Sequence, residues 1–271
     1  MLLVVTLGKT MIRYLLTAAL LVASPALAGE TGLRGSLDEP PAGASWHGFY
    51  AGAIAGLATS TGRADLGAHG GVLIPLDVSN GLFARSIDHP DEGLTGGITA
   101  GFNYQSGGFV GGVEADVSFA DFRIRHTMSR IDPNPFPPFT GLVTNSAYHT
   151  DFGLLATARV RAGVALDRSL IYATGGFAAG KVTNRFSIAL PGLAYASPDW
   201  SASGYRYGYA VGGGVETRLT ETVSMKLEAL YVDLEDTVVN GADPAAFPGE
   251  SISYRFRNDM ILGRLGLNVA F

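Results

Sequence analysis

Cysteine is absent from all 271 residues, which excludes disulfides and thiolate-based metal or redox chemistry. Charge is also scarce: 16 % of residues are Asp, Glu, Lys or Arg, against about 25 % in an ordinary soluble domain. What charge there is sums to −5, so the basic footprint of a nucleic-acid binder is missing. No H-E-x-x-H or similar spacing joins the histidines at 47, 69, 89, 126 and 149, and neither a metal nor a cofactor is expected. Nor does any apolar run span a membrane as a helix. "YLLTAALLVA", from Tyr14, falls well short of the ~20 residues required.

That short run has another meaning. Lys9 and Arg13 precede it, and "SPALA" follows with a small-x-small cleavage site ending at Ala28. Residues 1–28 therefore read as a secretory signal peptide. Met11 opens a stretch that is a complete signal by itself, so translation can begin at Met1 or Met11. Residues 29–45, with "DEPPAGAS", read as an N-terminal linker, and 46–271 as the folded domain.

Glycine is what the chain has in excess, 37 residues, roughly twice the usual ~7 %. No collagen-like period accompanies it. One cluster, Gly175 to Lys181, spells G-x-x-x-x-G-K, most of a nucleotide-binding loop. Yet Val182 stands where that loop needs Ser or Thr for magnesium, and no helical period follows. The preceding residues alternate instead. Phe152, Leu154, Ala156, Ala158, Val160, Ala162, Val164 and Leu166 are apolar, while Asp151, Gly153, Thr157, Arg159, Arg161 and Gly163 are polar or small, with Leu155 the exception. Period two marks a strand with one apolar face, whereas the strand before a phosphate loop is apolar on both. Gly175, Gly176 and Gly180 thus read as packing space in a wall.

Seven further segments read as strands, giving eight in all: 47–58, 93–104, 109–120, 150–166, 169–182, 205–218, 222–234 and 258–271. In the sixth, Tyr205, Tyr207, Tyr209, Val211 and Val215 share one face, with Arg206, Gly208, Gly212, Gly214, Glu216 and Arg218 on the other. The first and fifth are too rich in glycine and alanine for their faces to be assigned. The connections measure 34, 4, 29, 2, 22, 3 and 23 residues. This alternation suits an outer-membrane barrel, whose periplasmic turns are short and extracellular loops long. A soluble lipocalin-like barrel would show the same period two. The export signal, the glycines on the polar face and the girdle candidates Tyr205, Tyr207, Tyr231 and Phe271 favour the membrane form.

"WHGFYAGAIAG" at Trp46–Gly56, "GFNYQSGGFVGGVEADV" at Gly101–Val117, "RVRAGVALDRSLIYATGGFAAG" at Arg159–Gly180, "GYAVGGGVETRLTETVSMKLEALYVDLED" at Gly208–Asp236 and the terminal "LGLNVAF" carry a family likeness. They resemble the small outer-membrane surface antigens of alphaproteobacteria, the porin-like and opacity-protein-like group. "GAIAG" is richer in alanine than usual, and Val269-Ala270 stands where an aromatic pair is common. The resemblance implies an all-β fold: a monomeric eight-stranded antiparallel transmembrane barrel with four long extracellular loops. It implies a structural surface-antigen role in the cell envelope, with a narrow porin or haem-binding transporter as the alternative. Its partners would be the outer-membrane bilayer, the barrel-assembly machinery and host or surface ligands at the loops. Phe271 resembles the family's C-terminal assembly signal.

Parity places nine charged residues inside: Glu114 and Asp116, Arg159 and Arg161, Glu216 and Arg218, Lys226 and Glu228, and Arg264. Buried charges need partners because desolvation costs several kcal/mol per ion. Expected pairs are Glu114 and Asp116 with Arg159 and Arg161, Glu228 with Arg264, and Lys226 with Glu216. Such a network either plugs the barrel or lines a channel, and eight strands leave little lumen. No enzyme is expected. His126 and Ser129, the nearest approach to a base and nucleophile, fall in a loop before "IDPNPFPPFTG", whose prolines exclude ladder pairing.

Overall fold

A computed structural model of the chain describes residues 45–60, 62–88, 91–132 and 141–271. The expected signal peptide, most of the linker, His89 and most of the proline-rich stretch after Ile131 lie outside them. Eight long strands form the wall: β1 (Gly48–Ser60), β4 (Asp91–Ser106), β5 (Phe109–Ile131), β6 (Val143–Leu166), β7 (Ser169–Leu190), β9 (Trp200–Arg218), β10 (Val223–Gly241) and β11 (Ser251–Ala270). Each pairs antiparallel with the next, and β1 closes on β11 from Tyr50↔Ala270 to Ser60↔Met260. The remaining strands, β2 (Ala64–Gly70), β3 (Ser86–Ile87) and β8 (Tyr195–Ala196), belong to the long loops, as does the helix α1 (Leu73–Ser79).

Outside, an apolar band circles the lower wall. On β5 it comprises Phe109, Val113, Val117 and Phe119; on β9, Tyr205, Tyr207, Tyr209 and Val211; on β11, Leu265, Leu267 and Val269, all exposed. The β5 stretch from Phe109 to Phe119 matches the ~9–11 residues a tilted strand needs to cross a bilayer. Aromatic side chains mark both rims. Phe49 packs against Phe102 near the short turns, and Tyr209 lies 6.3 Å from Tyr231 at the upper edge. Above the band the outer face turns charged, with Arg123 near Asp151 and Arg257 near Asp65. The strands then continue well beyond it, which is why all four long connections are shorter than the sequence pattern suggests.

Three bulges break the alternation where the wall leaves the band. Registers shift between Phe119 and Phe122, between Phe152 and Leu155, and between Leu234 and Thr237. An extra residue inverts which parity faces inward. This corrects the reading of β6 as one uninterrupted run: Leu155 points inward at 2 % exposure, and so does Phe152 at 7 %. The glycine cluster of β7 is corrected in part. A Cβ at Gly176 would strike the Ala158 carbonyl and approach Arg159 Cα to 2.7 Å, and one at Gly180 would meet Leu234 Cδ1 at 2.8 Å. Gly175 faces outward, its nearest neighbour 3.7 Å away.

The interior is layered. Trp46, Val110, Ala165 and Leu170 form a floor by the short turns. Above it lie the charged residues, then an apolar layer around Phe152, Leu155, Val182, Leu230, Leu234 and Met260. Next comes an amide layer, in which Asn184 donates to Thr150 and Asn258 to Thr237. The top is a second apolar core. Here Val78, Leu82, Phe83 and Ile87 of the first long loop pack down onto Tyr148, Phe186, Tyr254 and Phe256. That loop is therefore a cap, held also by the Tyr254 hydroxyl donating to the Ala84 carbonyl at 3.1 Å.

Candidate functional site

Eight charged side chains meet inside the lower wall, each at most 3 % exposed: Glu114, Asp116, Arg159, Arg161, Glu216, Lys226, Glu228 and Arg264. Strand register brings three opposite-charge pairs face to face, Glu114 with Arg159, Glu228 with Arg264 and Glu216 with Lys226. The lumen is narrow enough that each arginine also reaches across it. Arg159 contacts Glu114 at 2.6 Å, Asp116 at 2.9 Å and Glu228 at 2.9 Å. Arg264 contacts Asp116 at 2.9 Å and Glu228 at 2.5 Å. Asp116 and Glu228 thus each hold both arginines, closing a ring of four side chains across the barrel.

Arg161 serves a second group, 2.8 Å from Glu216 and 3.6 Å from Glu114. Its guanidinium lies 4.0 Å from the centre of the Tyr172 ring, a cation–π contact strengthened by the burial of both side chains. Lys226 departs from the expected pairing. It sits opposite Glu216 in register, but its Nζ lies 2.8 Å from Glu114. The cause is local: Glu216 is already filled by Arg161, the Ser224 hydroxyl and the Asn268 amide. The lysine stem instead passes Gly266, where a Cβ would come within 3.3 Å of its Cε.

Arg218 does not join this layer. It donates to the backbone carbonyls of Glu221 and Ser45, with its guanidinium 4.8 Å from the Trp46 ring. Backbone acceptors and an aromatic face at the lower mouth substitute for a carboxylate there. Without it the layer holds four acids and four bases, and it is neutral.

Neutral hydrogen-bond donors complete the layer. Tyr50 donates to Glu114 at 2.7 Å, Tyr172 to Glu228 at 3.1 Å and Thr157 to Asp116 at 2.6 Å. Sequence reasoning missed all three because it followed charge alone. Tyr172 had a usable signal. The two-residue turn at Asp167-Arg168 sets Leu166 opposite Ser169, so the inward-facing Gly163 places its partner Tyr172 inward as well. Asp167 takes the left-handed conformation, φ 51°, that this tight turn needs.

Chemically the arrangement is closed. Every carboxylate has several donors, and the layers above and below it are apolar. Among the described residues no group of three or more His, Asp or Glu is placed to hold a metal ion. Ser129 donates to Asn145 at 2.6 Å, and His126 stacks on Tyr148 at the far end of the barrel. Phe271 is exposed at the lower rim, its amide donating to the Phe49 carbonyl at 2.9 Å.

Residues 14–256 match the model of a family described as "Outer membrane protein beta-barrel domain". The chain is 29 % identical over 192 residues to a 31 kDa outer-membrane immunogenic protein of Brucella melitensis, covering 70 % of this chain and 72 % of that one. It is 26 % identical over 196 residues to a 22 kDa outer membrane protein of Rhizobium leguminosarum bv. viciae, covering 72 % and 67 %. Among solved structures it is similar to the outer membrane protein OprG of Pseudomonas aeruginosa: 12 % identity, TM-score 0.44, 87 % of this chain and 99 % of that one.

Proposed function

Because the chain belongs to the outer-membrane β-barrel domain family and lies in the outer-membrane bilayer, we propose that it is a non-conducting structural barrel that displays its capped loops as a surface antigen and contributes to envelope integrity. The observation that carries this reading is the neutral charge layer, sandwiched between apolar layers and closed by Arg159 and Arg264 across the lumen. A solute would have to part several buried ion pairs at once, and a buried ion without its partner costs several kcal/mol. The immunogenic character named for the Brucella relative is consistent with loops held in a fixed shape on the cell surface. Catalysis is not part of the reading, since among the described residues no base, nucleophile and orienting group come together at one surface.

Export through the signal peptide of residues 1–28 and insertion by the barrel-assembly machinery, with Phe271 in the assembly signal, complete the proposal. The test is permeability. Proteoliposomes containing the chain are expected to stay as tight to small sugars and ions as empty vesicles, while cells lacking it become more sensitive to detergent. Solute entry through the purified barrel would replace this reading with a narrow porin, and saturable haem binding would replace it with a receptor.

A further inference from the structure

Under the cap, the outer mouth keeps a cleft of about 80 Å³ between the first loop, the tops of β6 and β7, and residues 242–250. Its walls are mostly apolar, with Phe83, Ile188 and Trp200 among them, yet four carboxylates line it: Asp77, Asp132, Asp243 and Glu250. No lysine, arginine or histidine does so among the described residues. Glu250 accepts from the amides of Val72, Leu73 and Ile74, and Asp243 accepts from the Tyr195 hydroxyl and the Ala246 amide. Asp77 is different. Burial, then the neighbouring charges of Asp132 and Glu250, push its carboxyl up to about 6.

Thr144 supplies an independent sign of a ligand. Its side chain is 1 % exposed and lines the same cleft, and its hydroxyl has no hydrogen-bond partner. An unpaired buried hydroxyl costs free energy that a bound donor would recover. Excess negative charge, an unpaired acceptor and aromatic walls call for a ligand with one positive, hydrogen-donating centre and an apolar body. A metal ion fits poorly, because among the described residues no three of these carboxylates are placed to hold one.

We propose that this cleft binds a small primary ammonium ion on a short alkyl or aryl chain, its nitrogen held by Asp77, Asp132 and the Thr144 hydroxyl, its chain against Phe83 and Trp200. The volume suits a few heavy atoms, since a single water needs only about 10–15 Å³ of such space.

The probe is n-pentylammonium, titrated into the full chain in nanodiscs and followed by tryptophan fluorescence. Only Trp46 and Trp200 are present, and Trp46 sits in the floor. A saturable change is expected, lost in Trp200→Phe, with 1-pentanol at least ~10-fold weaker because it carries no charge. Asp77→Asn and Asp132→Asn should each weaken binding about 10-fold, and affinity should rise between about pH 5 and pH 7 as Asp77 ionises. Asp77 lies in the cap, so its variant is expected to keep the parent's heat-modifiable gel mobility. The proposal is overturned if pentanol binds as tightly as the ammonium, if Asp77→Asn leaves affinity unchanged, if calcium gives the same response at lower concentration, or if the ammonium gives no saturable response.

Discussion

Arg159 holds three carboxylates from two sides of the barrel, so its loss strands more charge than the loss of any other cation of the layer. Arg159→Ala should lower stability by about 3–5 kcal/mol, because Glu114, Asp116 and Glu228 stay buried while one of their shared cations disappears. Urea unfolding in lipid vesicles measures this, and Arg159→Lys should recover only part of it because an ammonium cannot reproduce the fork. Asp77 carries a prediction of opposite character. Its folded-state carboxyl is raised from 3.8 to about 6, by burial first and then by Asp132 and Glu250. Within that window the folded cap holds a proton the opened chain would release. Cap stability should therefore fall as pH rises through the window and level off above it. Asp77→Asn should flatten the slope, measured by amide hydrogen exchange in α1. At this scale the sequence revealed the inward charges through their parity, since Glu114, Asp116 and Arg159 alternate with apolar neighbours. It hid the partners of Lys226 and Arg218, because contacts across a lumen depend on closure and not on strand neighbours.

Among the elements, the eight wall strands were legible from period two and from the alternation of short and long connections. Their upper halves were not. Above the bulges the inward positions of β6 and β7 hold Tyr148, Phe152, Phe186 and Ile188, so the apolar face switches from outside to inside and the simple pattern fails. The cap was invisible for a related reason: α1 is one short helix whose N-terminus is satisfied from a distant loop. Glu250 accepts three of its first amides, and although burial works to raise that carboxyl, the three hydrogen bonds hold it below the usual range. Glu250→Ala should leave the wall intact and open the cap, seen as faster hydrogen exchange at Leu73 and Ile74 and new proteolytic nicking within residues 62–88. The last strand supports a different expectation. Phe271 is exposed at the rim and adds little packing to the finished barrel, so its deletion should lower outer-membrane insertion while export continues. Quantifying the chain in periplasmic and outer-membrane fractions checks this; equal membrane levels for mutant and parent would remove the assembly role.

As a whole molecule the chain spends its interior on stacked layers rather than on a passage. Floor, charge layer, apolar layer, amide layer and cap follow one another along the axis, and the charge layer is closed by side chains from opposite walls. Glycine makes this possible in a narrow barrel. Gly214, whose added Cβ would meet the Tyr172 hydroxyl at 2.8 Å, and Gly176 beneath Arg159 leave room for large neighbours. The central claim is that the charge layer is a plug. Single-channel recording of the purified parent in planar bilayers tests it most directly. The account predicts no steady conductance from the parent, and none of large size from Arg159→Ala despite its lower stability. A stable, ion-selective conductance in the parent, with selectivity altered by Glu114→Gln, would contradict it and make the same eight side chains the lining of a channel.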